Sequence, residues 1–349
     1  MESLSIATQE RMQGIKTAEE MSVFMKEHFS VDLGSMIEKE VGSRLALSKN
    51  GIEAKILALK TKGMTTGGIQ QILKADGIDA SRTQIGHAIE ETLPQMHEWV
   101  TRPLARVYPI VFLDGMRCSV RESGKTVAKC SYHALGVNMD GEKELLGIWI
   151  ADTEGAKFWM QVLTDLKNRG VEDILICCID GLKGFSQAIK AVFPNATIQQ
   201  CVNHMIRSTG HFVKGHRKEK FCGDLKEVYT APTEEAGRVG LTDMMEKWPD
   251  FKPFLVRWEK EWSEIAPYFA YSAPVRRLIY TTNPIESLHS QFRREIKTVN
   301  IFTSDESLRH HLWLAQLDIT KKWTGKPLKD WGEIIAQLSI MYPDRLVLY

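Results

Sequence analysis

Two aspartates, Asp114 and Asp180, hold matching positions in this chain. Each closes an apolar, β-branched run and each is followed by glycine, in VYPIVFLDG and EDILICCIDG. Functional groups in α/β sheets gather beyond strand ends, where backbone is free and side chains converge. If the two runs are neighbouring strands, both carboxylates face one cleft. Carboxylates forced together repel, and a divalent cation relieves that repulsion while gaining hard oxygen ligands. With a third acid, such a site can activate a nucleophile and stabilise a leaving oxygen at phosphorus. The competing reading is purely structural, because Asp-Gly is a common turn signal and strands often end that way.

The elements that must position these acids are legible around them. TVAKCSYHALGVN and KELLGIWIA are further strand candidates, with a GEK turn at Gly141 suited to a hairpin between them. AKFWMQVLTDLKNRG reads as a helix stopped by Gly170, FSQAIKAVFPN as a second closed by Pro194, and ATIQQC as a short strand. The order strand, strand, strand, helix, strand, helix, strand predicts an α/β fold, a mixed sheet with helices packed on it. His204 to Tyr271 reads as helical and rich in Lys, Glu and Trp, and Glu286 opens a last helical region running towards Tyr342. In TTNPIESL, Asn283 suits an N-cap, Pro284 the first helical position and Glu286 the third. Pattern alone therefore makes Glu286 part of a capping-box-like start.

Upstream, the first fifty residues read as weakly patterned helix and carry no assigned chemistry. IEAKILALKTKGM places Ile52, Ile56, Leu57 and Leu59 on a helical face, and GIQQILKADG follows as a second short helix. A third opens at Ser81, with Gln84 three residues on as its capping-box partner. Three short helices with glycine-containing turns match the helix-turn-helix layout, whose last helix enters the major groove. Arg82, Thr83, Gln84 and His87 would then face DNA. A small bundle used only for packing fits the same pattern equally well. Pro94 to Pro109 reads as a linker helix and a turn.

Composition sets outer bounds. At 349 residues, 43% hydrophobic and 26% charged, the chain reads as ordinary soluble protein of more than one domain. No apolar run approaches membrane-spanning length and the N-terminus lacks a secretory pattern, so a cytoplasmic protein is expected. A net charge of +1, from 45 basic and 44 acidic residues, argues neither for nor against nucleic acid, which needs a local patch. Such patches exist in HMIRSTGHFVKGHRKEK, from His204 to Lys220, and in QFRREIK, from Gln291 to Lys297. The six cysteines are spread irregularly and define no disulfide framework. No G-x-G-x-x-G follows the first strand, which disfavours a dinucleotide-dependent oxidoreductase.

Read together, PLARVYPIVFLDGMRCSVR, the long stretch from ALGVNMDG to CCIDGLKGF, CVNHMIR, DLKEVYTAPTEEA, AYSAPVRRLIYTTNPIESLHSQFRR and SDESLRHHLWLAQLDITKKWT carry a resemblance. They resemble the bacterial insertion-sequence transposases of the Mutator-like group, in order and without large gaps from Ile52 to Tyr349. The resemblance implies a ribonuclease-H-like catalytic domain of the DDE type, in which Asp114, Asp180 and Glu286 hold two Mg²⁺ (or Mn²⁺) ions. It implies metal-dependent cleavage at the ends of an insertion sequence and attack of the freed 3′-hydroxyl on target DNA. Its partners are then double-stranded DNA, as terminal inverted repeats and as target, and a second copy of the chain, since pairing two ends needs at least a dimer. The implied division is 1–50 as an N-terminal helical segment, 51–100 as a helix-turn-helix-like DNA-binding region and 101–204 as the first part of the catalytic core. A helical insertion over 205–275 and the C-terminal part of the core over 276–349 complete it.

Further residues take expectations from the same match. The family's cysteine and histidine after the second aspartate fall on Cys201 and His204. These are expected to pack and hydrogen-bond beside the active site, because with His211, His216 and Cys222 they make no recognised zinc spacing. Arg293 and Arg294, about two turns beyond Glu286, either meet the phosphate backbone or form a solvated helix face. Trp258 and Trp262, four apart, either stack on a base or are buried by an amphipathic helix. The family's usual TTNAIESLNSQLR reads TTNPIESLHSQFR here, so Pro284, His289 and Phe292 depart from it. His289 replaces a polar amide one turn from Glu286 and is expected to support the site. The strand-like, basic stretch that members commonly carry before the helix-turn-helix is not found, so recognition of terminal repeats is expected to differ. Two rival readings are a degenerate transposase that holds DNA without cutting it and a non-transposing nuclease of the same fold.

Overall fold

The computed structural model describes residues 51–346 except Gly63, Ser123, Thr153, Glu154, Thr298 and Asn300. The N-terminal segment 1–50 lies outside the described residues. A five-stranded sheet carries the two aspartates. Its strands are β1 (Val107–Glu122), β2 (Lys125–Val137), β3 (Lys143–Ala151), β4 (Asp173–Ile179) and β5 (Thr197–Gln200), arranged side by side as β3-β2-β1-β4-β5. The β1–β2 and β2–β3 pairs are antiparallel, whereas β4 runs parallel to β1 and β5 parallel to β4. Gly141 turns the chain between β2 and β3 at φ 82°, a conformation that a β-carbon opposes. DILICCI in β4 is buried almost throughout, as a parallel strand covered on both faces must be.

Asp114 does not end its strand, as the apolar run implied. β1 continues to Glu122, paired with β2 beyond the stretch shared with β4 and bridged to Phe302 at Val120. There Met116, Cys118 and Val120 turn inward while Arg117, Ser119 and Arg121 face out. An antiparallel arm with one wet face alternates in this way, so the continuous apolar run stops although the strand does not.

Helices cover both sheet faces. Ahead of the sheet come α1 (51–61), α2 (Thr66–Ala75), α3 (Arg82–Glu90) and α4 (Leu93–Thr101). The first three close their own small core through Ile56, Ile69, Leu73, Ile85 and Ile89. The Ser81–Gln84 capping box is formed, with the Gln84 amide donating to Ser81 Oγ at 3.2 Å and the Ser81 amide to Gln84 Oε1 at 2.8 Å. Two connecting helices, α5 (Ala156–Asn168) and α6 (Phe185–Val192), bury Trp159, Leu163, Leu166 and Ile189 against Val111, Leu113 and Cys177.

The opposite face, with Ile110, Phe112 and Ile176, meets the later helices. These are α7 (Val202–Gly210), α8 (Arg217–Tyr229), α9 (Glu234–Lys247), α10 (Lys252–Lys260), α11 (Trp262–Ile265), α12 (Ala273–Ile279), α13 (Asn283–Ile296), α14 (Asp305–Thr320) and α15 (Trp331–Met341). Trp258 and Trp262 are buried in this layer. The Trp258 indole N–H donates to Thr209 Oγ1 and that of Trp262 to Glu234 Oε1, each at 2.9 Å. Packing, not base stacking, is therefore their role.

Candidate active site

Register brings the two aspartates together. Leu113 pairs with Ile179, so the next residue on each strand stands beside the other where β4 stops and β1 runs on. Asp114 is buried, and its Oδ1 accepts the Gly115 amide at 2.8 Å. Asp180 Oδ1 accepts the Leu182 amide at 3.3 Å. Burial, and then the charge of Asp114, push the Asp180 carboxyl up to about 6, against the opposing pull of His204 and of the Leu182 amide.

Neither Asp-Gly pair is a turn. Gly115 lies within β1 opposite Tyr132, and Gly181 does not adopt a left-handed backbone. A β-carbon on Gly181 would meet the ends of the Gln200 and Arg257 side chains, which pack against this glycine. A cleft of about 450 Å³ opens beside Asp180, lined among others by Lys183, Arg257, Lys260 and Glu261.

Glu286 corrects the sequence reading by one position. Thr282 is the N-cap residue of α13, which puts Pro284 second and Glu286 fourth in the helix. The Thr282 amide and hydroxyl both donate to Cys201 Sγ, at 3.4 and 3.3 Å, and this tether to the end of β5 starts the helix early. The Glu286 carboxylate caps nothing. It receives both guanidinium nitrogens of Arg207, at 2.8 and 3.2 Å, with His204 Nε2 3.6 Å away. Among the described residues no three His, Cys, Asp or Glu side chains are gathered closely enough to hold a metal ion as they stand.

His204 and Arg207 lie three apart on α7 and so share a face. Interaction with Cys201 first, and then the charges of Asp114 and Asp180, raise His204 to about 9 in spite of its burial. Burial by itself would raise the Cys201 thiol, but His204 and Thr282 outweigh it and hold Cys201 below its ordinary value. Arg207 falls within CVNHMIR and the basic stretch from His204 to Lys220. Its one-turn spacing from His204 is the signal that points to this site.

On the other side of Asp114 stands a buried histidine pair. His289 Nδ1 is 3.4 Å from Asp114 Oδ2, and its Nε2 is 2.9 Å from His133 Nδ1. His133 Nε2 in turn meets Ser131 Oγ at 3.1 Å. His133 is fully buried, and desolvation, with the nearby His289 and Arg293, holds it well below the ordinary histidine value. One proton arrangement serves the whole chain: the Ser131 hydroxyl donates to His133, His133 Nδ1–H to His289, and His289 Nδ1–H faces Asp114.

The remaining candidates lie outside this cluster. Arg293 and Arg294 are exposed on α13, and Arg294 lines a separate cleft with Lys62, Lys321 and Lys322. On α3, Thr83 and His87 are exposed, Arg82 donates to Gln70 Oε1 at 3.2 Å, and the Gln84 side chain is taken up by its cap. The structure brings together Asp114, Asp180, Cys201, His204, Glu286 and His289, and leaves the α3 residues apart from them.

Residues 39–325 match the family model described as Transposase, Mutator family. The chain belongs to this family of transposases. It is similar to the transposase for insertion sequence element ISRM3 of Rhizobium meliloti (strain 1021), 40% identical over 294 residues that cover 83% of this chain and 73% of the relative. A probable insertion-sequence transposase of Corynebacterium diphtheriae is 35% identical over 322 residues, 85% of this chain and 93% of that protein. Among solved structures, the Drosophila P element transposase strand transfer complex aligns over 82% of this chain and 99% of that one, at 9% identity and a TM-score of 0.43. Among the described residues no helix is long and apolar enough to cross a membrane.

Proposed function

We propose that this chain is a DNA transposase of the DDE type, which cuts DNA at insertion-sequence ends and joins the freed ends to target DNA. The observation that carries this reading is Asp114 beside Asp180 where the parallel pairing of β1 and β4 stops, in a chain of a transposase family. Antiparallel neighbours on one side of β1 and parallel ones on the other support the ribonuclease-H-like reading of the core. In that reading 101–204 and 276–349 form the core, 205–275 the helical insertion and 51–100 the DNA-binding region.

The donor set fits a divalent cation, because a buried Asp114 and a half-buried Asp180, its carboxyl raised by burial and by the Asp114 charge, both gain from one. Asp114, Asp180 and Glu286 would hold two such ions, Mg²⁺ or Mn²⁺. When bound, these would lower the pKa of an attacking water and stabilise charge on the leaving oxygen.

The chain's own residues place and hold these acids. His289, backed by His133, fixes the Asp114 carboxylate through Oδ2. Arg207 holds the Glu286 carboxylate until a DNA phosphate competes for its guanidinium, a group well matched to either partner. His204 sets a positive charge among the acids and so favours approach of an anionic backbone. Arg293 and Arg294 offer phosphate contacts along α13. On α3, Thr83 and His87 are free to face a groove, whereas Arg82 would have to leave Gln70 and Gln84 its cap to do so. Terminal inverted repeats and target DNA are the partners, and pairing two ends calls for at least a dimer acting in the bacterial cytoplasm.

The test is cleavage of duplex DNA carrying the element's inverted ends, with Mg²⁺ or Mn²⁺, by the protein and by Asp114→Asn and Glu286→Gln. Metal-dependent 3′-end cleavage abolished in both variants is the expected result. Binding that persists with no cleavage in any form would replace the transposase with a DNA-holding relative.

A further inference from the structure

One exposed aromatic side chain is held too firmly to be a loose surface residue. Phe212, in the connection after α7, is 50% exposed, yet its ring stacks on Phe254 of α10 with centroids 3.9 Å apart and planes 13° from parallel. His211 adds an edge contact at 5.6 Å and 84°. A fixed ring with an open surface loses little conformational entropy when something lies on it.

The surroundings say what that something is. Residues 214–220 are all exposed, and they carry Lys214, His216, Arg217, Lys218 and Lys220 against the single acid Glu219. Arg217 is partly committed, to Asp250 at 3.1 Å, but the lysines leave the patch basic. Protein–protein interface cores are depleted in lysine, whereas single-stranded nucleic acid is bound by aromatic faces set in a basic groove. Ile340, more exposed still at 80%, lies on a helix without a basic residue and has no such field.

Position supplies the last piece. Phe212 follows the C-terminal end of α7, the helix that carries His204 and Arg207, and Arg207 grips Glu286. We propose that Phe212, braced by Phe254, is a stacking platform for an unpaired nucleobase of a DNA strand engaged by this protein. The proposal rests on the reading of this protein as a DNA-processing enzyme. It assigns the platform to a base rather than to a protein side chain or a duplex groove.

The test uses the full chain and single-stranded oligonucleotides of mixed sequence carrying 2-aminopurine, whose fluorescence is quenched on stacking. Binding is followed by anisotropy, beside the affinity for blunt duplex and the cleavage assay above. Phe212→Ala and Phe212→Leu are expected to weaken single-strand binding roughly tenfold and to lose the quench. Phe212→Trp should keep both, and duplex affinity should move by no more than about twofold in any variant. Phe212→Leu preserves apolar bulk without a π-face, so it separates stacking from folding. If it quenches and binds as the unaltered protein does, the platform is wrong. Cleavage by the unaltered protein without any Phe212-dependent quench overturns the platform alone and leaves the transposase standing. A protein that binds no DNA in either form overturns both.

Discussion

A carboxylate meant for a cation meets competition from every positive group in reach, and at Glu286 that competitor is Arg207. The Arg207 side chain is 62% exposed, so solvent screens the pair and limits it to about 1 kcal/mol or less despite its bidentate geometry. Arg207→Ala should therefore tighten Mn²⁺ binding by the DNA-free protein, roughly two- to five-fold, read as free Mn²⁺ by electron paramagnetic resonance during titration. Unchanged or weaker binding would mean that Glu286 is no ligand, or that Arg207 does not compete for it. His133 and His289 make a different kind of pair, because both are buried. Truncating either to alanine leaves a buried ring nitrogen of the other without its partner, a loss of about 1–3 kcal/mol. The double variant should lose less than the sum by about 0.5 kcal/mol or more, measured as urea unfolding free energies in a double-mutant cycle. Strict additivity would show that the two rings do not depend on each other.

Elements carry a second class of test, in glycines that helices would not choose on propensity. Gly237 lies inside α9, where an added β-carbon would meet the Val228 carbonyl oxygen at 2.9 Å and Phe269 at 3.0 Å. Gly223 lies inside α8 with nothing within 4 Å of that position. The same change should act in opposite directions: Gly223→Ala stabilises by about 0.5–1 kcal/mol through helix propensity. Gly237→Ala destabilises by about 1–3 kcal/mol by forcing two helices apart. Thermal melts followed by circular dichroism decide it, and two stabilising changes would contradict the close α8–α9 contact. This contrast also marks what a sequence can reveal. Strand order around Asp114 and Asp180 was legible because buried parallel strands and wet hairpin arms write different patterns, and the resemblance placed Glu286. The outer half of β1 was cut short because its alternation looks like a loop when read for apolar runs. Glu286 looked like a cap because local spacing cannot see Cys201 gripping Thr282 from 81 residues away. Arg207 and the His133–His289 link, 156 residues apart, join elements that only the folded topology brings together.

At the scale of the whole molecule, buried imidazoles tie stability to pH. His133, His310 and His311 are all held below the ordinary histidine value, with desolvation as the leading cause. His311 on α14 is the one best suited to measurement, since it stands away from the acid cluster, packed near Phe302 with its ring centroid 5.3 Å away. Burial lowers it to about 4 from 6.5, with Lys60 and His310 adding to the fall and a backbone hydrogen bond at Glu295 opposing it. Because the folded value is depressed, the unfolded chain takes up a proton first as the solution is acidified. The stability linked to His311 is thus fully present above pH 6.5 and is lost as pH falls toward 4. Between pH 7 and pH 5 the loss amounts to about 2 kcal/mol from this one ring. Other groups also titrate in that range, so the informative quantity is a difference of differences. His311→Phe removes the titration, and whatever it does to packing or to the Glu295 carbonyl is the same at both pH values. Urea unfolding of both proteins at pH 7 and pH 5 should show the variant losing about 2 kcal/mol less on acidification. Equal losses would mean that the α14 interior admits water or a counter-charge to His311, and that this layer of helices is looser than its packing against the sheet implies.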